Sequence, residues 1–242
     1  MAEINKGRFS LVGAPGGPLK IWRHPQPTER YVLGADASSG GYAADRASCC
    51  VIETRSCALV AKLYCKRDPI PFGRMCAMLA WHYNTGLLAF ETHPSQHGVS
   101  ACIAARDMEY PNLYRRTQQS TVHLRITEEL GWATTMKTKP LMIDAVRAAI
   151  ADRVEIPDKG LVMEIAAARY KENDELFFEG VNDDSFTAYS IALLARRHAV
   201  QRGFVSPEDV KPLDATALWW KHREAELAAG DGGEYEIEPD GA

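Results

Sequence analysis

Tyr31-Val-Leu-Gly-Ala-Asp36-Ala-Ser-Ser-Gly40-Gly41 is the stretch on which the reading of this chain turns. A short apolar run delivers an aspartate just as the chain enters Ser and Gly. The run is too short for a helix and reads as a buried strand, with Gly40-Gly41 as its turn. A carboxylate at such a strand end, followed by small residues, leaves space beside it for a metal ion or a phosphate. Aspartate also ends strands simply by capping the next turn, so Asp36 gains its weight from two other positions. Glu91 closes a second apolar run, Gly86-Leu-Leu-Ala-Phe-Glu91, and Asn182-Asp183-Asp184 opens a late helical pattern.

With 242 residues, 46% hydrophobic and 25% charged, the chain fits one soluble domain with appendages. No apolar stretch approaches the ~20 residues that span a bilayer, and the N-terminus has no apolar signal core. The six cysteines, Cys49, Cys50, Cys57, Cys65, Cys76 and Cys102, include no Cys-x-x-Cys spacing. They read as reduced, buried thiols of a cytosolic protein. The net charge of −4 divides unevenly: Glu224 to Ala242 holds seven acids and no Lys or Arg, so the preceding residues carry +3. A mildly basic body with an acidic tail is compatible with DNA contact. There is no Gly-x-x-x-x-Gly-Lys-Ser/Thr loop, so the chain is not expected to act as a P-loop NTPase by itself.

Residues 1–30 are rich in Gly, Pro and charge and read as a lead-in or linker, with Leu19–Trp22 the only strand-like piece. Ala47–Glu53 and Cys57–Arg67 continue from Tyr31–Asp36 as an antiparallel meander. Pro69–Pro71 starts a helix that runs through Phe72, Met75, Cys76, Leu79 and Tyr83 and stops at Asn84 and Gly86. A helix over Gly98–Met108 and a strand over Asn112–Arg116 follow. Thr117–Met136 has no clear period and is expected to be a long mobile segment. Thr138-Lys-Pro140 starts another helix, with Thr138 as N-cap and Pro140 in the first turn. Leu161–Tyr170 reads as helical, Leu176–Phe178 as a strand and Asp183–His198 as a helix. Beyond residue 200 the sequence predicts one amphipathic helix, Ala215–Ala229, and a disordered Gly- and acid-rich tail.

This order of elements is that of an α/β, ribonuclease H-like fold: a central mixed sheet of five or more strands flanked by helices, over 31–200. The residues sharpen the match. Tyr31-x-x-Gly34-x-Asp36-x-x-x-Gly40, Asp45-x-x-Ser48, Tyr83-Asn84 before Phe90-Glu91, Tyr110-Pro111-x-Leu113-Tyr114, Gly131-Trp-Ala-Thr134-Thr135 with Thr138-Lys139-Pro140, and Asp183-Asp184 before a helix occur in that order. The series resembles the C-terminal nuclease domain of tailed-bacteriophage large terminase subunits and covers about residues 17–200. His93 and Asn182 stand where that family often has Asn and His.

The resemblance implies an endonuclease that cuts concatemeric double-stranded viral DNA during genome packaging, in the host cell cytoplasm. It implies as partners a packaging ATPase domain, absent from this chain, together with portal and small terminase subunit; no membrane is involved. Its chemistry suits acidic residues, because phosphodiester hydrolysis needs an activated water and neutralised charge on the leaving oxygen, which two divalent cations supply. Mg²⁺ or Mn²⁺ would take hard oxygen ligands. Asp36 is assigned as the bridging ligand, Glu91 as holding one ion and Asp183 or Asp184 the other. Asp45 is left as a turn residue, a hydrogen-bonding neighbour or an added ligand, with His93 and Asn182 as outer hydrogen-bonding residues.

Phosphate contacts are expected from Arg115, Arg116, Arg125, Lys137 and Lys139, with His123, Gln118, Gln119 and Trp132 interleaved. A zinc pair of His93 and His97 is disfavoured because Pro94 interrupts any helix joining them. Two other readings stay open: another ribonuclease H-like nuclease, such as a junction resolvase or transposase relative, and a non-catalytic DNA- or portal-binding module.

Overall fold

A computed structural model describes residues 9–41, 46–119, 126–170, 176–201 and 233–239. At its centre is β3 (Tyr31–Asp36), whose first five residues are fully buried. Burial on both faces explains the uninterrupted apolar run. Leu33 and Ala35 face one core, and Val32 faces the other, as the two-residue period of a strand requires.

β4 (Ala47–Glu53) and β5 (Leu59–Cys65) extend the sheet antiparallel on one side of β3. On the other side β6 (Leu87–His93) and β9 (Trp132–Ala133) are parallel. β2 (Leu19–Ile21) pairs with β5, and β12 (Gly233–Pro239) is inserted between β2 and β1 (Phe9–Gly13). The result is a mixed eight-stranded sheet in the order β1-β12-β2-β5-β4-β3-β6-β9.

Two differences from expectation concern the chain ends. Besides the expected strand-like piece, which forms β2, the lead-in supplies β1, and part of the tail expected to be disordered forms β12. Glu234-Tyr-Glu-Ile-Glu238 alternates acid and apolar residues, a period-two signal that composition alone conceals. Ile237 is buried in the core, and Glu234 accepts from the Gly16 amide at 2.6 Å and pairs with Lys20 at 3.3 Å. The predicted helix at Ala215–Ala229 lies outside the described residues.

α1 (Pro69–His82) and α2 (Gln96–Asp107) pack on one face of the sheet. Pro69 opens α1, where a missing N–H costs nothing, and Ser95 caps α2 by accepting from the Gly98 amide at 3.2 Å. On the opposite face α5 (Asp184–Gln201) lies across β3 and β4, with α3 (Lys139–Ala151) and α4 (Lys159–Ala167) packed on it. Thr138 does precede α3, but its hydroxyl accepts from the Thr135 amide (2.8 Å) and donates to the Ala133 carbonyl (2.7 Å) instead of capping the helix.

The aperiodic segment is also more ordered than expected. β7 (Arg115–Gln119) and β8 (Ile126–Leu130) form an antiparallel ribbon. Ala168–Tyr170, expected to continue α4, instead forms β10, paired with β11 (Leu176–Phe178).

Candidate active site

Gly34 decides where the site forms. A Cβ at this position would stand 2.1 Å from the Ala188 carbonyl oxygen and 2.5 Å from the Ala192 nitrogen, both on α5. Only a residue without a side chain lets the helix lie so close to β3, and that approach brings the start of α5 over the end of the strand. Gly98 acts similarly for α2, where a Cβ would fall 1.5 Å from the Glu91 carbonyl oxygen.

Four carboxylates converge there. Asp36 ends β3, and Glu91 lies one residue beyond the parallel pair Ala35↔Phe90. Asp183 precedes α5 and its carbonyl accepts from the Thr187 amide at 2.8 Å, which makes it the N-cap residue. Asp184 is the first helical residue. Glu91 and Asp184 are only 8% and 6% exposed.

Asp36 and Glu91 are hydrogen-bonded to each other, and the Asp36 carboxyl is held well above the usual carboxylate range. Loss of water is the main cause, followed by the charges of Glu91 and Asp184, the proton shared with Glu91, and the charge of Asp183. Burial also raises Glu91, against hydrogen bonds from Thr134 and Asp36; Asp183 pushes it up further and His93 pulls it down. Asp184 acts on Asp36 more strongly than Asp183 does, and Asp183 acts on Glu91 as well.

The β4 and β5 registers extend this row. Ser48 lies opposite Asp36, and Tyr64 opposite Ser48, so all three side chains share one face. The Tyr64 hydroxyl donates to Asp184. Ser48 is fully buried, and its hydroxyl has no hydrogen-bond partner among the described residues. Among those residues no group of three or more His, Cys, Asp or Glu side chains is placed to hold a metal ion as it stands. The donor set nevertheless fits a hard divalent ion: it is all oxygen, crowded and mutually repelling. A buried hydroxyl beside Asp36 suits a water bound to such an ion.

Asn182 is exposed just before the aspartate pair, while Asp45, Arg125 and His123 lie outside the described residues. Arg115, Lys137 and Lys139 are exposed. Arg116 differs from expectation: its guanidinium pairs with Glu129 and donates to Thr92 Oγ1 (3.0 Å) and the Gly131 carbonyl (3.2 Å), fixing the base of the β7–β8 ribbon. Sequence reasoning gave no role to Thr134 or Tyr64. Thr134 was visible in the quoted Gly131–Thr135 series, whereas Tyr64 depends on strand register.

No protein-family model matches the chain, and no curated protein sequence matches it either. Solved structures do. The large terminase nuclease of thermophilic phage G20c with bound cobalt superposes with a TM-score of 0.57 at 13% identity, covering 76% of this chain and 90% of that one. The same nuclease with bound magnesium gives 0.54 at 14% identity, covering 76% and 90%. The large terminase nuclease domain of Thermus phage P74-26 gives 0.51 at 16%, covering 74% and 86%. The chain has the ribonuclease H-like fold of these phage nuclease domains.

Proposed function

We propose that this chain is a metal-dependent endonuclease that hydrolyses double-stranded DNA. The observation that carries the reading is the convergence of Asp36, Glu91, Asp183 and Asp184 at the ends of β3, β6 and the start of α5, where burial first and then neighbouring acids hold the Asp36 carboxyl well above its usual range. Metal-bound neighbours of the same fold add support.

Asp36, at the centre, would be shared between two divalent cations, Mg²⁺ or Mn²⁺. Glu91 with Asp183 would hold one, and Asp184 the other. Such a pair supplies an activated water and neutralises charge on the leaving oxygen. The chain's own residues set the geometry: Thr134 orients Glu91, Tyr64 orients Asp184, and the N-terminal end of α5 favours negative charge at Asp183 and Asp184. Holding such ions would require Asp36 and Glu91 both in their ionised form. Lys137, Lys139 and Arg115 would hold backbone phosphates without reading sequence. The biological role in this reading is cutting concatemeric viral DNA during packaging in the host cytoplasm, beside a packaging ATPase, portal and small terminase subunit.

Plasmid DNA incubated with the protein and Mn²⁺ tests the reading. Nicking that disappears on chelation and in Asp36→Asn is expected. Equal activity in Asp36→Asn overturns the assignment. Preference for four-way junctions over linear duplex points to a resolvase, and DNA binding without cleavage to a non-catalytic module.

A further inference from the structure

Arg46 stands at the entrance to β4, exposed, on the flank of the carboxylate row formed by β4 and β5. Its guanidinium carbon lies 5.3 Å from the centroid of the Tyr64 ring. The Lys62 ammonium is 4.8 Å from the same centroid, and the Tyr64 hydroxyl is tied to Asp184. The ring is therefore anchored at the site and serves as a platform for the guanidinium. A guanidinium held over a ring by its cationic centre keeps N–H donors for a further partner. Among the described residues Arg46 forms no ion pair, although Asp184 is only one side chain away. Tyr64 stands between them, so the cation flanks the acids without neutralising them.

Lys66 and Arg67 follow β5 and are exposed on the same flank as Arg46, and two more exposed cations lie on the opposite flank. Lys137 and Lys139 follow β9, which pairs with β6 on the Glu91 side. A strand of DNA laid over Asp36 would thus meet lysines on one flank and Arg46 on the other.

We infer that Arg46, seated on Tyr64, grips a DNA phosphate next to the one at the carboxylates, on the flank opposite Lys137 and Lys139. This rests on the nuclease reading and adds to it a binding residue that forks onto two oxygens of one phosphate.

The test measures affinity of the full chain for duplex DNA across a salt series in Ca²⁺, followed by cleavage kinetics in Mn²⁺. Arg46→Ala is expected to weaken binding about tenfold, as for one lost charge-assisted contact. It should also flatten the log–log salt slope by about one unit. KM should rise by a similar factor, with a smaller change in kcat. Arg46→Lys should keep the slope and recover part of the affinity, since it restores charge without the fork. A neutral methylphosphonate beside the nicked bond should penalise the wild type and leave Arg46→Ala indifferent. Unchanged affinity and salt slope in Arg46→Ala overturn the inference, even if the wild type cuts DNA. A wild type that never nicks, with the slope still lost in Arg46→Ala, retires the nuclease reading and leaves the phosphate contact standing.

Discussion

Two groups of acids are buried on the same side of the sheet, and they are treated in opposite ways. Around Lys62, only 4% exposed, the chain supplies its own counter-charge. The ammonium pairs with Asp158 and lies 3.4 Å from Ser185 Oγ. Asp158 also caps α4 through the Leu161 amide at 2.7 Å. Glu164 accepts from the Phe186 amide at 2.7 Å. Burial raises the Glu164 pKa, but each of its other main influences, Phe186, Ser185 and Lys62, pulls it back. For Asp36 every main influence pushes the same way. Charge is compensated in one place and left crowded a few residues away, which is the contrast that the proposed cation site would require.

The largest effect should come from breaking the compensated group. Lys62→Met leaves Asp158 buried without its cation and should cost about 3–5 kcal/mol of stability, read by denaturant unfolding. A loss under 1 kcal/mol would mean that the network is not structural. Above the folded pKa of Asp36, Asp36→Asn should do the reverse, raising the melting temperature of the metal-free protein by removing a repelling charge; a lowered melting temperature there would contradict the crowding.

Tyr64→Phe keeps the platform and deletes the donor to Asp184. Divalent-cation affinity, read by calorimetry, should fall about tenfold, the low end for loss of a hydrogen bond that orients a ligand. Unchanged affinity would show that Asp184 needs no such support.

The subtlest difference is in pH. Raised folded pKa values at Asp36 and Glu91 mean that the unfolded chain releases these protons first. The stability they contribute is complete below the ordinary values of 3.8 and 4.5 and is lost as pH rises through the folded values. The metal-free protein should therefore lose melting temperature over that window, and Mn²⁺ should restore more of it at the higher pH. A Mn²⁺ effect independent of pH would separate the cation from these acids.

The acids were legible in the sequence because each ends or opens a locally patterned element: Asp36 after an apolar run, Glu91 after another, Asp183-Asp184 before a helix. The compensating group was not legible. Lys62 reads as an ordinary charged residue in a strand until the register sets it opposite Cys50 and beneath α5. Tyr64 was hidden for the same reason. Arg116 was grouped with the phosphate contacts because it adjoins Arg115, while its spatial partner, Glu129, is supplied by the paired strand β8. β12 was overlooked because an acidic, glycine-bounded tail was weighed by composition and not by its alternation.

At Gly34 the sheet and α5 meet main chain to main chain, with no side chain able to adjust between them. That contact acts as a mechanical stop. It sets how far the first turn of α5 stands above the tip of β3, whichever rotamers the acids adopt. A single methyl group added there would lift the helix like a shim and widen the gap between Asp36 and Asp184 without touching either one.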